Sequence, residues 1–421
     1  MAPIHVLHFA DLHIGMENYG KFDPQTGLST RLRDFLDRLD EIVAYAQAHA
    51  ADLIVFAGDA FKTRDPDPTQ QREFARRLKQ LADRAPVFLL VGNHDIPGMA
   101  ARATSIDIFR ALDVPNVTVG RSPGSRVIAT AHGPVFLGWV PFPVRNRLLN
   151  QEEHRGASVE TLDRAVEQHV TTFLSDLAQE AAQHAMPRLL VGHFSVGGAT
   201  FGSERSVMLG RDLVVQKSAL ADPAWDYVAL GHIHKHQNLT PARPRGAPAD
   251  FPAGGRLPPI VYSGSLERID FGEEHEAKGF CWVTLERNAT DWQFVPVNAR
   301  PFRSVSVDAR AVADPTTLVL NALAERRLAG AVVRLQIQLG DGQEAALRRK
   351  EIEAALAATA GPATLIVQVE TATRQVGVGL NAEALTPLQW VERYCAVRQK
   401  PPERTARLLA AAADLLQGTG A

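Results

Sequence analysis

The sequence predicts an α/β core built around packed sheets, then a small α+β segment and two tail helices. Three observations lead there. Short apolar runs alternate with helical spacing in the first half, shorter strand-like runs dominate up to about residue 298, and the pattern resets around residues 298–302. A length of 421 residues accommodates two to three domains.

Residues 4–10 read as the first strand. Residues 30–48 repeat apolar side chains at Leu32, Phe35, Leu36, Leu39, Ile42, Val43 and Ala46, a helical spacing. Residues 53–57 and 87–91 are continuous apolar runs of the kind buried on both faces. Between them, residues 69–84 form a basic helix with Arg72, Arg76, Arg77, Lys79 and Arg84, expected to be a solvated face. Residues 135–140, 189–191, 227–230 and 260–263 are further short strands. The segment 241–259, with Pro241, Pro244, Pro248, Pro252, Pro258 and Pro259, reads as an exposed loop, either a surface insertion or a border of the site.

Beyond the reset, Val305 and Val307 alternate, 315–328 is helical, Val333 to Leu339 alternates strictly, 343–358 is helical and Leu365, Val367 and Val369 alternate again. This β-α-β-α-β string reads as a separate α+β domain. Gly377 and Gly379 loosen the chain. Leu388, Val391 and Tyr394 then share one helical face, Pro401 and Pro402 break it, and a last amphipathic helix carries Leu408, Leu409, Ala412, Leu415 and Leu416. Helices this short bury little of their own, so they dock on a partner or on the body. The domain boundaries are therefore 1–298, 299–375 and 376–421.

Composition narrows the classes. The chain is 45% hydrophobic and 22% charged, ordinary for a soluble globular protein. No run has transmembrane character, and residues 1–9 lack a basic leader, so neither a membrane span nor a signal peptide is expected. Cys281 and Cys395 are the only cysteines and are far apart, which points to a reducing, cytoplasmic setting. A net charge of −2 disfavours nucleic-acid binding through bulk positive charge, leaving metal ions, a local arginine patch or a partner to supply the grip.

Five short motifs carry the chemistry: Asp11-Leu12-His13, Gly58-Asp59, Gly92-Asn93-His94-Asp95, Gly192-His193 and Gly231-His232-Ile233-His234. Nearly all fall where a strand runs into a loop, so their side chains can converge. Asp11 and His13, two apart, should face one side by strand alternation and chelate one ion. Asp59 can bridge two ions, Asn93 offers a carbonyl oxygen, and His193, His232 and His234 offer imidazole nitrogens. A mixed nitrogen and oxygen set without thiolate suits Mn²⁺, Fe²⁺ or Zn²⁺ better than Mg²⁺. Two such ions, roughly 3.5–4 Å apart, are the means of cutting a phosphate ester. His94 stands outside this set as a donor to phosphate or leaving oxygen, with Asp95 orienting it. The other histidines, His8 included, read as core or surface residues.

These motifs resemble the calcineurin-like metallophosphoesterase superfamily. The stretches His8–Gly15, Gly192-His193-Phe194 with Gly197-Gly198-Ala199 and Ser203-Glu204-Arg205, Tyr262–Ser265, Phe271–Glu274 and Lys278-Gly279-Phe280 resemble its SbcD-type break-repair nuclease branch. The resemblance implies a four-layer αββα nuclease domain, an α+β cap and a C-terminal helical segment, residues 385–417, that grips an SbcC-like ATPase. It implies manganese held by Asp11, His13, Asp59 and His234, and a second manganese by Asp59, Asn93, His193 and His232, with His94 catalytic. DNA would be the substrate, cut as an exonuclease on duplex ends and an endonuclease on single strands. A homodimer is implied through helices near 69–84 and 99–112. Lys62 departs from archaeal relatives, which carry a second active-site histidine there; it either reaches phosphate or faces solvent. No Gly-x-x-x-x-Gly-Lys-Ser/Thr loop occurs, so ATP would be read by another chain. The alternative is a phosphoesterase on small molecules or phosphoproteins. The Ser/Thr phosphatase branch carries Gly-Asp-x-x-Asp-Arg and Gly-Asn-His-Glu, which Gly58–Thr63 and Gly92–Asp95 do not match.

Overall fold

The computed structural model describes residues 2–97, 102–144, 157–202, 213–240, 257–310, 312–359, 361–370, 387–397 and 401–418. Ser203-Glu204-Arg205, Gly377, Gly379, most of the proline-rich loop and parts of the predicted partner-binding and dimer segments lie outside these residues. Contacts divide the chain into two units: residues 1–305 with 323–335 and 353–366, and residues 306–322 with 336–352 and 367–421.

The first unit runs β1 (Ile4–Phe9), α1 (Thr30–Ala48), β2 (Leu53–Phe56), α2 (Pro68–Arg84), β3 (Val87–Leu90), α3 (Asp107–Ala111) and β4 (Val117–Gly120). It continues with β5 (Gly124–Thr130), β6 (Gly133–Val140), α4 (Val159–Ala182), β7 (Arg188–His193), β8 (Tyr227–Gly231), β9 (Gln237–Asn238), β10 (Ile260–Tyr262), β11 (Gly279–Leu285) and β12 (Asp291–Pro296). Two six-stranded sheets result, ordered β12-β11-β1-β2-β3-β4 and β9-β10-β8-β7-β6-β5. Strands β1 to β4 pair in parallel, as do β6, β7, β8 and β10; β11, β12, β5 and β9 are antiparallel at the flanks.

Period-two alternation explains why both faces of each central strand are apolar. Val6, Val55 and Phe88 of the first sheet join Leu137, Leu189, Val191 and Tyr227 of the second in one core between the sheets. Leu7, Phe9, Ile54, Phe56 and Leu89 point the other way, onto α1 and α2. Leu190, Val228 and Leu230 do the same beneath α4, against Val166, Val170 and Leu174. The layers are therefore α-β-β-α. The three long helices begin where the sequence offers a cap. Ser29 accepts the Arg31 N–H ahead of α1. Asp67 and Gln70 form a reciprocal capping box at α2, with Pro68 opening the helix.

The basic face of α2 is largely self-neutralised. Arg72 and Arg76 meet Glu73 at 2.9 and 3.0 Å, Arg77 bridges Glu73 and Asp40, and Lys79 pairs with Asp83. The first strand, expected over residues 4–10, covers Ile4–Phe9 and stops just before the first motif.

After β12 the chain forms a three-stranded sheet of Phe302–Asp308, Val332–Gly340 and Ala363–Glu370, with helices Pro315–Ala324 and Arg349–Thr359 between the strands. These elements fall on the predicted β-α-β-α-β string. In the second unit, helices Pro387–Val397 and Pro402–Gly418 pack on each other, Cys395 is buried, and Leu388, Tyr394 and Leu408 are exposed. Among the described residues no helix is long and apolar enough to cross a membrane.

Candidate metal centre

All five motifs lie at the carboxyl ends of the parallel strands β1, β2, β3, β7 and β8, the side of an α/β sheet where loops from several strands can share one crevice. The first two are locked together. Beyond β1 and β2 the loops keep exchanging hydrogen bonds: Asp11 N to the Gly58 carbonyl at 3.0 Å, Leu12 N to Asp59 at 2.9 Å, Ile14 N to Ala60 at 3.0 Å. Strand alternation is not what brings Asp11 and His13 together. Asp11 (φ 52°), His13 (φ 45°) and Asp59 (φ 62°) all adopt the left-handed conformation. Three non-glycine residues in that region carry a strain that persists because the paired loops over-determine it.

The side chains meet in a buried knot. Asp11, His13 and His234 offer donor atoms within 4.8 Å of one another; so do Asp11, Asp59 and His193, and His13, Asp59 and His94. His193 Nε2 and His232 Nδ1 each lie 3.0 Å from Asn93 Oδ1. Asp59 Oδ2 sits 3.4 Å from His193 Nε2 and 3.7 Å from His13 Nε2, between the two halves of the cluster. Both Asp11 oxygens accept the His232 N–H at 3.0 Å, which ties the end of β8 to the end of β1.

The tautomers fit a cation. His193 Nδ1 donates to the Ala57 carbonyl at 2.6 Å and His234 Nδ1 to Glu273 Oε1 at 2.9 Å. A neutral imidazole then presents its Nε2 lone pair, in one case to Asn93 Oδ1 and in the other to His13 Nε2 at 3.0 Å. Lone pairs gathered this closely are satisfied by a positive charge among them, and a set of carboxylate, amide oxygen and imidazole suits a divalent transition metal. Without a metal, a proton on His193 supplies that positive charge. Burial would raise the Asp59 carboxyl, yet His193, His94 and His13 hold it well below the usual range. Burial lowers His193, but Asp59 and then Asp11 push it up to about 9. Burial drives His13 well below its ordinary value, so its ring stays neutral and free to ligate.

Two glycines of the motifs exist for the approach of these groups. A Cβ on Gly58 (φ +102°) would lie 2.3 Å from His193 Nδ1, and one on Gly92 would lie 2.2 Å from Asp59 Oδ1.

His94 is held from two sides. Its backbone N–H donates to Asp59 Oδ1 at 2.8 Å and its Nδ1 to the Lys62 carbonyl at 2.8 Å, so Nε2 is the nitrogen left to meet a substrate. This corrects the expectation for Asp95. Its carboxylate does not reach the His94 ring but accepts the N–H groups of Asp59 (3.0 Å), Gly92 (3.0 Å) and Ala60 (3.2 Å) and the Ser105 hydroxyl (2.9 Å). The reason is saturation: four donors fill the oxygens, and the His94 ring, half-buried, takes a main-chain partner instead. Burial, with the Asp59 charge, pushes the Asp95 carboxyl up to about 7. Lys62, half-buried, contributes its carbonyl to His94, and its ammonium opposes protonation of His13.

His8 belongs to the core, with Nε2 3.2 Å from the Leu230 carbonyl and Nδ1 3.2 Å from the Tyr227 hydroxyl. The residue that sequence reasoning missed is Glu273. It lies 39 positions from His234, with which it shares no spacing rule; its only signal was the Phe271–Glu274 stretch. Burial would raise its carboxyl, but Lys278 and His234 keep it well below the usual range.

Residues 4–236 match the calcineurin-like phosphoesterase family over more than half of the chain. The chain belongs to that family. Among curated proteins, the phosphoesterase is similar to the SbcD subunit of the SbcCD nuclease of Bacillus subtilis (strain 168), 27% identical over 282 residues, which is 65% of this chain and 67% of that protein. Among solved structures it is similar to a protein of Thermus thermophilus (TM-score 0.35, 12% identical, covering 70% of this chain and 99% of that one). It is similar also to a dimetal phosphatase of Danio rerio (TM-score 0.38, 12% identical, covering 70% and 97%).

Proposed function

We propose that this phosphoesterase is a manganese-dependent DNA nuclease acting with an SbcC-like ATPase in DNA repair and recombination. The observation that carries the metal chemistry is the convergence of Asp11, His13, Asp59, Asn93, His193, His232 and His234 from five strand ends around the Asp59 carboxylate. Asp11, His13, Asp59 and His234 would hold one ion, and Asp59, Asn93, His193 and His232 the other. Two ions bound there would supply Lewis acidity toward a phosphate ester and toward water at neutral pH.

The chain's own residues do the rest. Paired turns hold the ligand loops in register. His94, fixed through Nδ1, offers Nε2 to the phosphate or to the leaving oxygen as a proton donor. Ala57 and Glu273 set the tautomers of His193 and His234. The likeness to the Bacillus SbcD supports DNA as substrate and an SbcC-like ATPase as partner; in this proposal the partner docks on residues 385–417. Exposed Ile108, within α3, and Leu112, just after it, support a homodimer through that region. A cytoplasmic location goes with this reading.

The test is direct. Linear duplex and single-stranded DNA are incubated with the full chain and Mn²⁺, with and without the ATPase. Cleavage that His94→Ala abolishes is expected. Turnover of cyclic nucleotides or phosphopeptides far above any DNA cleavage would sink the DNA assignment.

A further inference from the structure

Behind His234 lies a buried ion pair that ligand counting does not call for. Glu273 closes a short 3-10 turn, Phe271–Glu273, and is fully buried. Its Oε1 accepts from His234 Nδ1 at 2.9 Å. Its Oε2 accepts the Ile269 N–H at 3.0 Å and meets Lys278 Nζ at 2.8 Å. Lys278 is buried too, and it donates to Glu276 Oε2 at 2.8 Å, to the Ser265 hydroxyl at 2.9 Å and to the carbonyl of His234 itself at 3.2 Å. One ammonium thus grips both the carboxylate on the His234 ring and the His234 main chain.

Burying two charges in this way is at best neutral for stability compared with apolar side chains of the same size. Its use lies in direction. A carboxylate can only accept, so the His234 ring must carry its proton on Nδ1, and the Nε2 lone pair must face Asp11 and His13. We propose that Glu273 and Lys278 are a positioning pair that fixes the tautomer and aim of His234 and thereby sets the affinity of the metal site formed with Asp11 and His13. The inference rests on the metal-centre reading, but not on DNA as the substrate.

The experiment is Mn²⁺ binding to the full chain by calorimetry and EPR, together with ¹⁵N spectra of the metal-free protein labelled at histidine. Glu273→Gln, which keeps an acceptor but loses the charge, is expected to weaken one of two Mn²⁺ sites by about 10-fold or more while the other stays within about threefold. Glu273→Leu/Lys278→Met removes both charges, so it keeps the test open if the single variant does not fold. In that double variant His234 should lose its fixed Nδ1–H signature, and the weakening should approach about 100-fold. Combined with His234→Ala, neither change should weaken binding further, because the ligand they position is gone. Equal weakening of both sites, an unaltered His234 tautomer, or a full extra loss on the His234→Ala background would each overturn the proposal. A wild-type chain that binds no Mn²⁺ would overturn it together with the metal centre. DNA cleavage is not the readout, so its failure would fall on the substrate alone.

Discussion

The carboxylate of Asp95 accepts the backbone N–H of Asp59 at 3.0 Å, so one acid holds the turn that presents another. Asp59 sits at φ 62° and lies between the two halves of the histidine cluster, and it is Asp95 that ties its main chain to the β3 loop. An asparagine at 95 can turn its oxygen toward Asp59 and Gly92, but its amide then faces the Ala60 N–H. Asp95→Asn should therefore cost roughly 1–3 kcal/mol, the penalty of one buried unsatisfied donor. Asp95→Ala, which leaves four donors without acceptors, should cost more. Urea unfolding of the metal-free chain measures both, and an unchanged midpoint for Asp95→Ala would refute the assigned role.

Much of this site was legible from local pattern. Gly-Asp, Gly-Asn-His-Asp and Gly-His-x-His each end a buried apolar run, and parallel strands bring such ends together whatever the details of the turns. Illegible were the contacts set by chain geometry rather than by spacing. Asp11 and His13 do share a target, but through left-handed turns and not through strand alternation, which stops at Phe9. Asp95 stands next to His94 in sequence, yet its oxygens are taken by main-chain donors from the β2 loop. Glu273 reaches His234 across 39 residues, and no periodicity signals such a pairing. The fold followed the same division. Strand positions came from apolar runs, whereas the order of the two sheets rests on long crossovers that carry no sequence signature.

Gly92 should not tolerate a side chain. An alanine Cβ would stand 2.2 Å from Asp59 Oδ1 and 2.5 Å from its backbone nitrogen, and main chain cannot swing away. Gly92→Ala should displace Asp59, costing about 1–3 kcal/mol as overpacking does and weakening metal binding more than stability. Mn²⁺ titration beside thermal unfolding checks this. Wild-type affinity would mean that the loop gives way at no cost.

His8 gives the metal-free chain an acid limit. Burial holds its pKa down at about 3, far below the unfolded value near 6.5. A folded pKa below the unfolded one means that the unfolded chain binds the extra proton first. The contribution is complete above pH 6.5 and is lost as pH falls toward 3, on the order of several kcal/mol in all. His8→Gln should remove about one proton from the slope of stability against pH in that window. An identical slope in both proteins would show that His8 is not the group responsible.

Asp59 and His193 should titrate as a pair. Burial alone lowers the His193 ring, and the Asp59 carboxylate 3.4 Å away, with Asp11 behind it, is what raises it to about 9. Asp59→Asn removes the charge with the stronger pull on His193 and keeps the shape. In the metal-free protein the His193 pKa should then fall by at least about 2 units, because desolvation is left opposed by Asp11 and the Ala57 hydrogen bond only. On the proposed ligand assignment the same variant would lose the carboxylate shared by the two ions, so phosphodiester cleavage should drop at least about 100-fold under saturating Mn²⁺. Histidine NMR titration reads the first effect and a cleavage assay the second. If His193 still titrates near 9 in Asp59→Asn, some group other than Asp59 holds its proton; if cleavage survives, Asp59 does not bridge the ions.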